Sequence, residues 1–469
     1  MQTKRDQLQA HNFVVGRLRS ALLTGEPDAL ETPTRRFSVA AFAGLIIGAL
    51  IVAGCGAYGF FFPGGSTSWR EPGSIIVEKE TGASYVYDST AGVLRPVRNR
   101  ASALLLTGPD STVRSVSVKS LGGVPHGLPV GILGAPDSLP APARLSRDPW
   151  LVCATSIPEV TGQSRPAVLL AVGAPTDVAA TGVDRAALTA TADGTRYLIW
   201  GSRRMRVADP AAAVALGLDG IRPVPVADTW LNGFPAGPDL TPPSVTGVGS
   251  AGPPVDGRPT RVGQVLRVSG ADDDNTGFRL VLADGLASLT PTMAELILAD
   301  PRSRTAYDGS PRAVPVSSAG VVSAPVSARP IGDGGLPARP PQLLDPGELG
   351  DRVLCARAVF GADANVTLVT ARVGHLRAAT PPPGAVDQRS ATQVAVAAGA
   401  GVLVRPETAP GRPGSARWLI TDVGVRYPMT DAAVTALGYA GVVPVDLPAT
   451  LLALVPSGPV LDPAAAAAG

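Results

Sequence analysis

The chain has 469 residues, of which 45% are hydrophobic and only 17% are charged, and its formal net charge is +2. This length allows two or three domains, and the near-neutral charge without a basic stripe argues against a nucleic-acid-binding protein. The 54 glycines and 47 prolines argue against long soluble helices and favour short strands joined by many turns.

The N-terminal tail reads as an amphipathic helix. Apolar residues such as Leu8, Phe13, Val14 and Leu18 recur at helical spacing, and Gly25 can end the helix. A helix of this kind can lie on a lipid surface or dock on a cytoplasmic partner, and both interpretations remain open. We assign the candidate contact with a cytoplasmic partner to Phe13, Val14 and Leu18.

An uncharged apolar run follows, from Phe37 to Phe62. A helix needs about 20 apolar residues to cross a bilayer, so this run is long enough to span it. Arg35 and Arg36 precede the run, as do further basic residues upstream, and the positive-inside rule therefore places the N-terminus in the cytoplasm. The run is too long and starts too late for a signal peptide. The sequence predicts a single-pass protein whose C-terminal bulk is extracytoplasmic.

Within the apolar run, Ala40, Gly44 and Gly48 recur at every fourth position. A ridge of small residues allows a second helix to approach closely in lipid, where packing contributes much of the association energy. The alternative is that glycine and alanine are simply frequent in membrane helices. We treat these three residues as the candidate packing face.

Two of the three cysteines lie outside the apolar run, in closely similar settings. Cys153 lies in the sequence WLVCATS and Cys355 in RVLCARA, whereas Cys55 lies within the run. Disulfides persist in an oxidising extracytoplasmic space. We expect a disulfide between Cys153 and Cys355, with two free thiols as the alternative.

One short unit recurs in the C-terminal bulk. Arg196–Val224 and Arg417–Val445 align without a gap, and each reads as strand, turn, strand, helix and short proline-containing strand. A third copy lies at Phe278–Leu298, and a weaker fourth copy at Tyr85–Leu106. These segments predict four small β/α repeat domains.

The order of repeat, cysteine segment and repeat occurs twice, which indicates a duplicated half of roughly 200 residues. In the two best copies the helix begins at a capping Asp209 or Thr430 and ends at Gly217 or Gly438. We therefore expect two similar halves joined near the middle by the disulfide.

These patterns predict nine segments. In chain order they are the cytoplasmic tail 1–36, the transmembrane helix 37–62, repeat one 63–120, the first core part 121–190, repeat two 191–245, a linker with repeat three 246–310, the second core part 311–390, repeat four 391–455, and a loose tail 456–469. Stretches rich in proline and glycine at 234–258, 328–341 and 380–384 are interpreted as linkers.

No motif in the sequence indicates a catalytic, cofactor-binding or metal-binding site. Gly247, Gly249 and Gly252 match G-x-G-x-x-G, but prolines flank them and indicate a flexible linker instead of a dinucleotide loop. Asp272–Asp274 lack the closing glutamate of a calcium loop. None of the three lysines completes a phosphate-binding loop, and the three histidines are too scattered for a zinc site or a triad.

Several stretches together resemble the EccB component of the type VII (ESX) secretion membrane complex. They are the tail TKRDQLQAHNFVVGRLRSALLTGEPD with Arg35-Arg36 and the apolar run, GILGAPDSLP at Gly131–Pro140, and the paired LVCA and VLCA segments. The resemblance implies an α+β protein with an N-terminal cytoplasmic helix and one transmembrane helix. Its elongated periplasmic region would hold four repeat domains around a central β core with pseudo-two-fold symmetry. The pairing of Cys153 with Cys355 carries over.

The resemblance also implies a function and partners. A structural subunit of the inner-membrane complex would build its periplasmic part and support export of WXG100-type or PE/PPE substrates. Partners would be the EccC motor ATPase, EccD, EccE and a mycosin protease, together with further copies of the chain. Two alternatives stay open, an extracytoplasmic nucleotide hydrolase that would bind ATP and a cell-wall-binding module. Without a phosphate loop, we expect no enzyme and no cofactor.

Overall fold

A computed structural model describes residues 3–25, 33–61, 67–160, 162–173, 177–269, 277–329, 331–332, 334–379, 385–409 and 411–469. It divides into two compact units. The smaller unit comprises Met1–Arg95 with Thr112–Gly127, and the larger comprises Pro96–Ser111 with Leu128–Gly469. The described chain mixes helices with many short strands, which confirms the predicted α+β class.

Two long helices lie at the N-terminal end, and the remaining helices in the described ranges have at most nine residues. In chain order the helices are α1 (Lys4–Thr24), α2 (Pro33–Phe61), α3 (Arg100–Thr107), α4 (Val118–Leu121), α5 (Pro210–Ala215), α6 (Pro291–Ala299), α7 (Ser318–Ser323), α8 (Asp431–Ala436), α9 (Ala449–Ala453) and α10 (Pro463–Ala468). The short helices agree with the high glycine and proline content.

The strands are short as well. They are β1 (Ser74–Glu78), β2 (Ser84–Asp88), β3 (Val93–Pro96), β4 (Thr112–Val116), β5 (Trp150–Pro158), β6 (Ser164–Val172), β7 (Asp177–Ala180), β8 (Arg185–Ala190), β9 (Arg196–Trp200), β10 (Arg203–Arg206), β11 (Val224–Pro225), β12 (Ala251–Val255), β13 (Arg258–Arg261), β14 (Val265–Val268), β15 (Phe278–Leu282), β16 (Gly285–Leu289), β17 (Val314–Val316), β18 (Gln342–Leu343), β19 (Val353–Val359), β20 (Asn365–Arg372), β21 (Gln393–Val396), β22 (Gly401–Ala409), β23 (Arg412–Pro413), β24 (Arg417–Thr421), β25 (Arg426–Met429) and β26 (Val445–Pro448).

Four sheets share one topology. Each has three antiparallel strands, then a helix, then a strand that pairs in parallel with the first. We call them the first to fourth sheets; they contain β1–β4, β8–β11, β14–β17, and β22 with β24, β25 and β26. Each includes one recurring sequence segment, preceded by a first strand that the alignment did not reach.

The helices of the second and fourth sheets begin and end as the sequence predicts. The side chains of Asp209 and Thr430 accept hydrogen bonds from backbone N–H groups two and three residues further on, at the starts of α5 and α8. Gly217 and Gly438 follow these helices with φ of 67° and 80°, a conformation that glycine adopts without strain.

A six-stranded sheet in the larger unit has the order β21-β6-β5-β19-β20-β7. Two antiparallel hairpins, β5–β6 and β19–β20, meet along β5 and β19 at its centre. The outer strands are exchanged, because β7 pairs with β20 and β21 pairs with β6. The exchange gives the sheet an approximate two-fold arrangement, although β21 runs parallel to β6 and β7 runs antiparallel to β20.

Further segments also cross from one half to the other. β18 pairs in parallel with β8 of the second sheet. In the other half, Leu145 forms a parallel bridge with Gly401 of the fourth sheet. Helix α5 packs against α6, and α3 packs against α8. The two halves are therefore interlocked in the larger unit by strands and by helices.

In each of the four similar sheets, the third antiparallel strand forms one edge of the sheet. A proline-containing segment covers this edge. We call 125–127, 235–237, 325–327 and 456–458 the edge-covering segments. In each, the proline carbonyl accepts a hydrogen bond from one edge-strand residue, and the residue two positions later donates to the carbonyl of that same residue, at 2.8–3.0 Å. The edge-strand residues are Leu94, Arg204, Leu286 and Arg426.

Three of these segments read proline, any residue, glycine. A Cβ atom at Gly127 would lie 2.9 Å from Val93 Cγ2, and one at Gly237 would lie 2.8 Å from Met205 Cγ. A Cβ at Gly458 would overlap the Tyr427 ring. Glycine is therefore required where the segment crosses the side chain of the edge strand.

The predicted linker 234–258 is largely ordered, which corrects the sequence interpretation. Its start covers the edge of β10, and its later part forms β12, which pairs with β13 in a hairpin. Gly252 of the G-x-G-x-x-G match lies in β12, so the flexible-linker interpretation was wrong there. Proline is tolerated at sheet edges, where no further N–H is needed, and a proline-rich composition therefore does not imply a flexible chain. The predicted linker 380–384 and Asp272–Asp274 lie outside the described residues.

The prediction that residues 456–469 form a loose tail was also wrong. It covers the edge of β25 and then forms α10, which packs against α3 and α8. Leu461 and Ala466 are both fully buried, and the Ala466 carbonyl accepts a hydrogen bond from Gly131 N–H at 2.9 Å. Small side chains suit a closely packed helix contact but give a weak amphipathic pattern, so an alanine run at a chain end does not by itself predict a packed helix.

Candidate functional site

The two cysteines that lie after the candidate span meet at the centre of the six-stranded sheet. Cys153 on β5 lies directly opposite Cys355 on β19, with 4.1 Å between their Cα atoms, and their sulfur atoms form a disulfide. Both residues are fully buried. The predicted pairing is confirmed, and the disulfide joins the two halves at the contact between their hairpins.

The opposite face of this sheet packs on the largest hydrophobic core of the larger unit. The short 3₁₀ helix Asp228–Gly233 lies on it, and the Trp230 indole N–H donates a hydrogen bond to the Val152 carbonyl at 2.9 Å. A Cβ at Gly233 would lie 2.9 Å from Ala356 Cβ, so the 3₁₀ helix contacts the sheet backbone closely. The central sheet is consequently held on one face by the disulfide and on the other by Trp230.

A charged cluster fixes the outer strand β7 to its neighbours. Asp177 accepts hydrogen bonds from Arg352 at 2.8 Å and Arg372 at 2.7 Å, and Arg372 also pairs with Asp351 at 2.7 Å. The hydrogen bond from Arg352, with further attraction from Arg372, lowers the pKa of the Asp177 carboxyl. The carboxylates and guanidinium groups of this cluster pair with one another within the fold. We therefore assign the cluster to structure and not to ligand binding.

Helix α2 contains the predicted membrane span. Phe37–Phe60 is apolar enough to cross a membrane, with a mean hydropathy of 2.3, and none of it is buried against the rest of the described chain. Gly44 and Gly48 have no atom within 4 Å of an added Cβ, so the ridge that they form with Ala40 is open. The described geometry therefore leaves room for another helix at this ridge.

Helix α1 carries the other predicted contact face. Its start is fixed by Thr3, whose N–H and hydroxyl both donate to the Asp6 carboxylate, and these bonds lower the pKa of Asp6. The apolar side chains of Phe13, Val14 and Leu18 are each more than half exposed. The residues that we assigned to partner contact are thus accessible.

Sequence reasoning missed the edge-covering segments and Trp230. The segments had a readable signal, because proline and glycine recur two positions apart at 125–127, 235–237 and 456–458, each time after the last strand of a sheet. Trp230 follows the second sheet in an irregular stretch whose sequence gives no helix or strand period, so its contact with β5 could not be inferred.

The family described as type VII secretion system ESX-1, transport TM domain B matches residues 1–469. The ESX-3 secretion system ATPase EccB3 of Mycolicibacterium smegmatis is 29% identical over 98% of this chain and 89% of its own. The ESX-1 secretion system ATPase EccB1 of the same species is 27% identical over 99% of this chain and 94% of its own.

Solved structures give the same result. A chain of an intact ESX-5 inner membrane complex is 25% identical, with a TM-score of 0.66 over 99% of this chain and 95% of that chain. A chain of the EccB3 dimer from the ESX-3 core complex is 25% identical, with a TM-score of 0.65 over 84% of this chain and 99% of that chain. The resemblance seen in the sequence is confirmed, and this chain belongs to the EccB family of type VII secretion proteins.

Proposed function

We propose that the chain is a structural subunit of a type VII secretion inner-membrane complex. The observation that carries this proposal is the match of 99% of the chain, including its candidate span, to a chain of an intact ESX-5 inner membrane complex. The interlocked halves and the central disulfide suit a rigid building element. Co-purification of the detergent-extracted protein with other subunits of an ESX membrane complex tests the proposal, and recovery of the chain without them contradicts it.

The proposal includes an orientation and a set of partners. The N-terminus lies in the cytoplasm and the residues after the span lie in the periplasm, because the basic residues cluster before Phe37. The family resemblance points to the EccC motor ATPase, EccD, EccE and a mycosin protease as partners. Further copies of the chain also fit, since an EccB relative was solved as a dimer.

The orientation gives a first prediction. A reporter that is active only in the cytoplasm should work when it is fused before Met1 and should fail when it is fused after Gly469. The physical reason is that arginine and lysine resist translocation across the membrane. A reporter that requires an oxidising compartment, fused at the same two positions, should give the opposite result. Activity of the cytoplasmic reporter after Gly469 would contradict the orientation.

The open ridge of α2 gives a second prediction. The double variant Gly44→Leu with Gly48→Leu keeps the helix apolar, so membrane insertion should be unchanged. It fills the ridge where a neighbouring helix must approach. We expect roughly a fivefold lower recovery of partner subunits and weaker secretion, which corresponds to a loss of about 1 kcal/mol of association free energy, because helix association in lipid depends on close packing.

The same helix offers a matched control. Ala53 and Ala57 lie nine residues after Gly44 and Gly48, which at about 100° per residue places them on the opposite face. The double variant Ala53→Leu with Ala57→Leu creates the same two leucine side chains there, adding slightly less bulk, and should leave partner recovery unchanged. Equal losses in both variants would show that added bulk on either face is harmful and would refute a specific packing face.

A second candidate function comes from the names of the relatives, which include the word ATPase. The sequence of this chain contains no G-x-x-x-x-G-K-[ST] loop. Nucleotide turnover by the purified chain, free of any motor subunit, would favour this alternative over a purely structural role.

A further inference from the structure

The four similar sheets differ at their second edge, the one formed by the parallel strand after the helix. These strands are β4, β11, β17 and β26. In a parallel pair, alternate residues bond to the neighbour and the residues between them point their N–H and C=O groups away. The outward-pointing positions therefore decide whether such an edge can accept another strand.

In the second and third sheets, proline occupies an outward-pointing position of the edge strand. Val226 donates to the Ala190 carbonyl and therefore faces inward, so Pro225 faces outward. In the same way the Val316 carbonyl accepts from Ser269, so Pro315 faces outward. Proline has no N–H, and an edge with proline at this point cannot donate to an added strand.

The fourth sheet has a charged residue at the corresponding place. Asp446 precedes the buried Leu447, as Pro225 precedes a buried valine, and its carboxylate pairs with Arg405 at 2.6 Å. A charge on an edge strand is a second common way to prevent pairing with another chain. Three of the four edges thus carry a feature that blocks strand addition.

The first sheet has neither proline nor charge at its outward positions, because the charged residue of β4, Arg114, lies at an inward position between them. Thr112 donates to the Gly73 carbonyl and the Val116 carbonyl accepts from Lys79, so the main chains of Val113 and Ser115 point outward. Among the residues that the structure describes, β4 pairs with β1 alone, so no other strand meets these two outward residues. Val113 is 56% exposed and Ser115 is exposed as well. β4 is therefore an open edge in the unit that also carries the span α2.

We propose that β4 accepts an extended segment of another subunit of the membrane complex as an added strand, an inference that rests on the proposed function. A five-residue strand is about 17 Å long, so its edge contact falls well below the roughly 1,200 Å² that a stable interface buries. Such a contact cannot hold two free proteins together. It can hold a segment that other contacts of the complex already keep nearby, because tethering raises the effective concentration.

A second copy of this chain fits the edge less well. The antiparallel self-pairing that uses Val113 and Ser115 of both copies places Arg114 directly opposite Arg114 of the other copy. Like charges directly opposite each other destabilise a strand pair. The added strand should instead carry an uncharged or acidic residue opposite Arg114, which in the free chain pairs with Glu71 at 2.6 Å.

The test uses the full chain in membranes. The variant Ser115→Pro removes one outward donor, and the sheet should tolerate it because Pro225 and Pro315 occupy the equivalent positions in sheets of the same topology. We expect an unchanged melting temperature and about fivefold to tenfold lower recovery of partner subunits, the effect of losing one or two hydrogen bonds. The matched control Pro315→Ser changes the third sheet in the reverse sense and should leave recovery unchanged.

Hydrogen exchange on the wild-type protein gives an independent measurement. The amides of Val113 and Ser115 should exchange at least about tenfold more slowly in the purified complex than in the isolated chain. Equal exchange rates in the two samples would overturn the inference, as would full partner recovery with Ser115→Pro. Protection that appears in the isolated chain as its concentration rises would identify a second copy as the occupant and overturn the assignment to another subunit. If the wild-type chain recovers no ESX subunit at all, the proposed function itself fails.

Discussion

Replacing Cys153 and Cys355 with alanine should lower the melting temperature of the larger unit by about 5–10 °C while preserving its fold. The bond closes a loop of 202 residues, and the chain-entropy estimate for a loop of that length is about 5 kcal/mol. The residues of the central sheet should stay buried, because β5 and β19 remain paired without the disulfide. Differential scanning calorimetry with and without reductant on the wild-type protein measures the same effect independently.

Cys55 provides the matched control for this experiment. It is a free cysteine in α2, so Cys55→Ala changes the same side chain without touching the central sheet. We expect no shift in the melting temperature of the larger unit with that variant. An unchanged midpoint after removal of Cys153 and Cys355 would show that strand pairing alone holds the two halves, and would refute a stabilising role for the disulfide.

The features that could be predicted from the sequence are those with a local signal. The span has a length and polarity that soluble segments rarely show, and the helix caps at Asp209 and Thr430 depend on the residue itself. The disulfide was predictable because two similar apolar segments after the span each held one cysteine. In all these cases a few neighbouring residues carry the information.

The features that were missed depend on contacts between distant segments. Whether a proline-rich stretch is a flexible linker or an edge-covering segment is decided by the sheet that it contacts, and 235–237 contacts β10 of the second sheet. The same holds for Trp230, whose partner Val152 is 78 residues away. Composition alone gave the wrong result for both the predicted linker and the predicted tail. The composition of a segment does not show which other segment it contacts.

The strongest test of the corrected tail is a pair of adjacent substitutions. Leu461 is fully buried in the core that includes α3 and α8, whereas the neighbouring Val460 is 51% exposed. Leu461→Ala should destabilise the larger unit by about 2–5 kcal/mol, a fall of about 3–7 °C in melting temperature. Val460→Ala removes a similar apolar side chain from the same segment and should shift the midpoint by less than about 1 °C.

Truncation after Val455 should have a larger effect than either substitution. It removes Leu461, the contact of α10 with α3 and α8, and the two hydrogen bonds that join Pro456 and Gly458 to Arg426. It also exposes the edge of β25, and an exposed edge strand is a site of aggregation. We expect the truncated chain to be recovered mainly in aggregates, and any soluble fraction to be degraded by protease faster than Leu461→Ala. If the truncated chain instead melts at the wild-type temperature, residues 456–469 contribute nothing to the stability of the fold, which would contradict an ordered, packed tail. Because Leu461→Ala tests burial of one side chain alone, a loss seen with truncation but not with that variant would assign the stabilisation to the covered edge together with the contacts of α10.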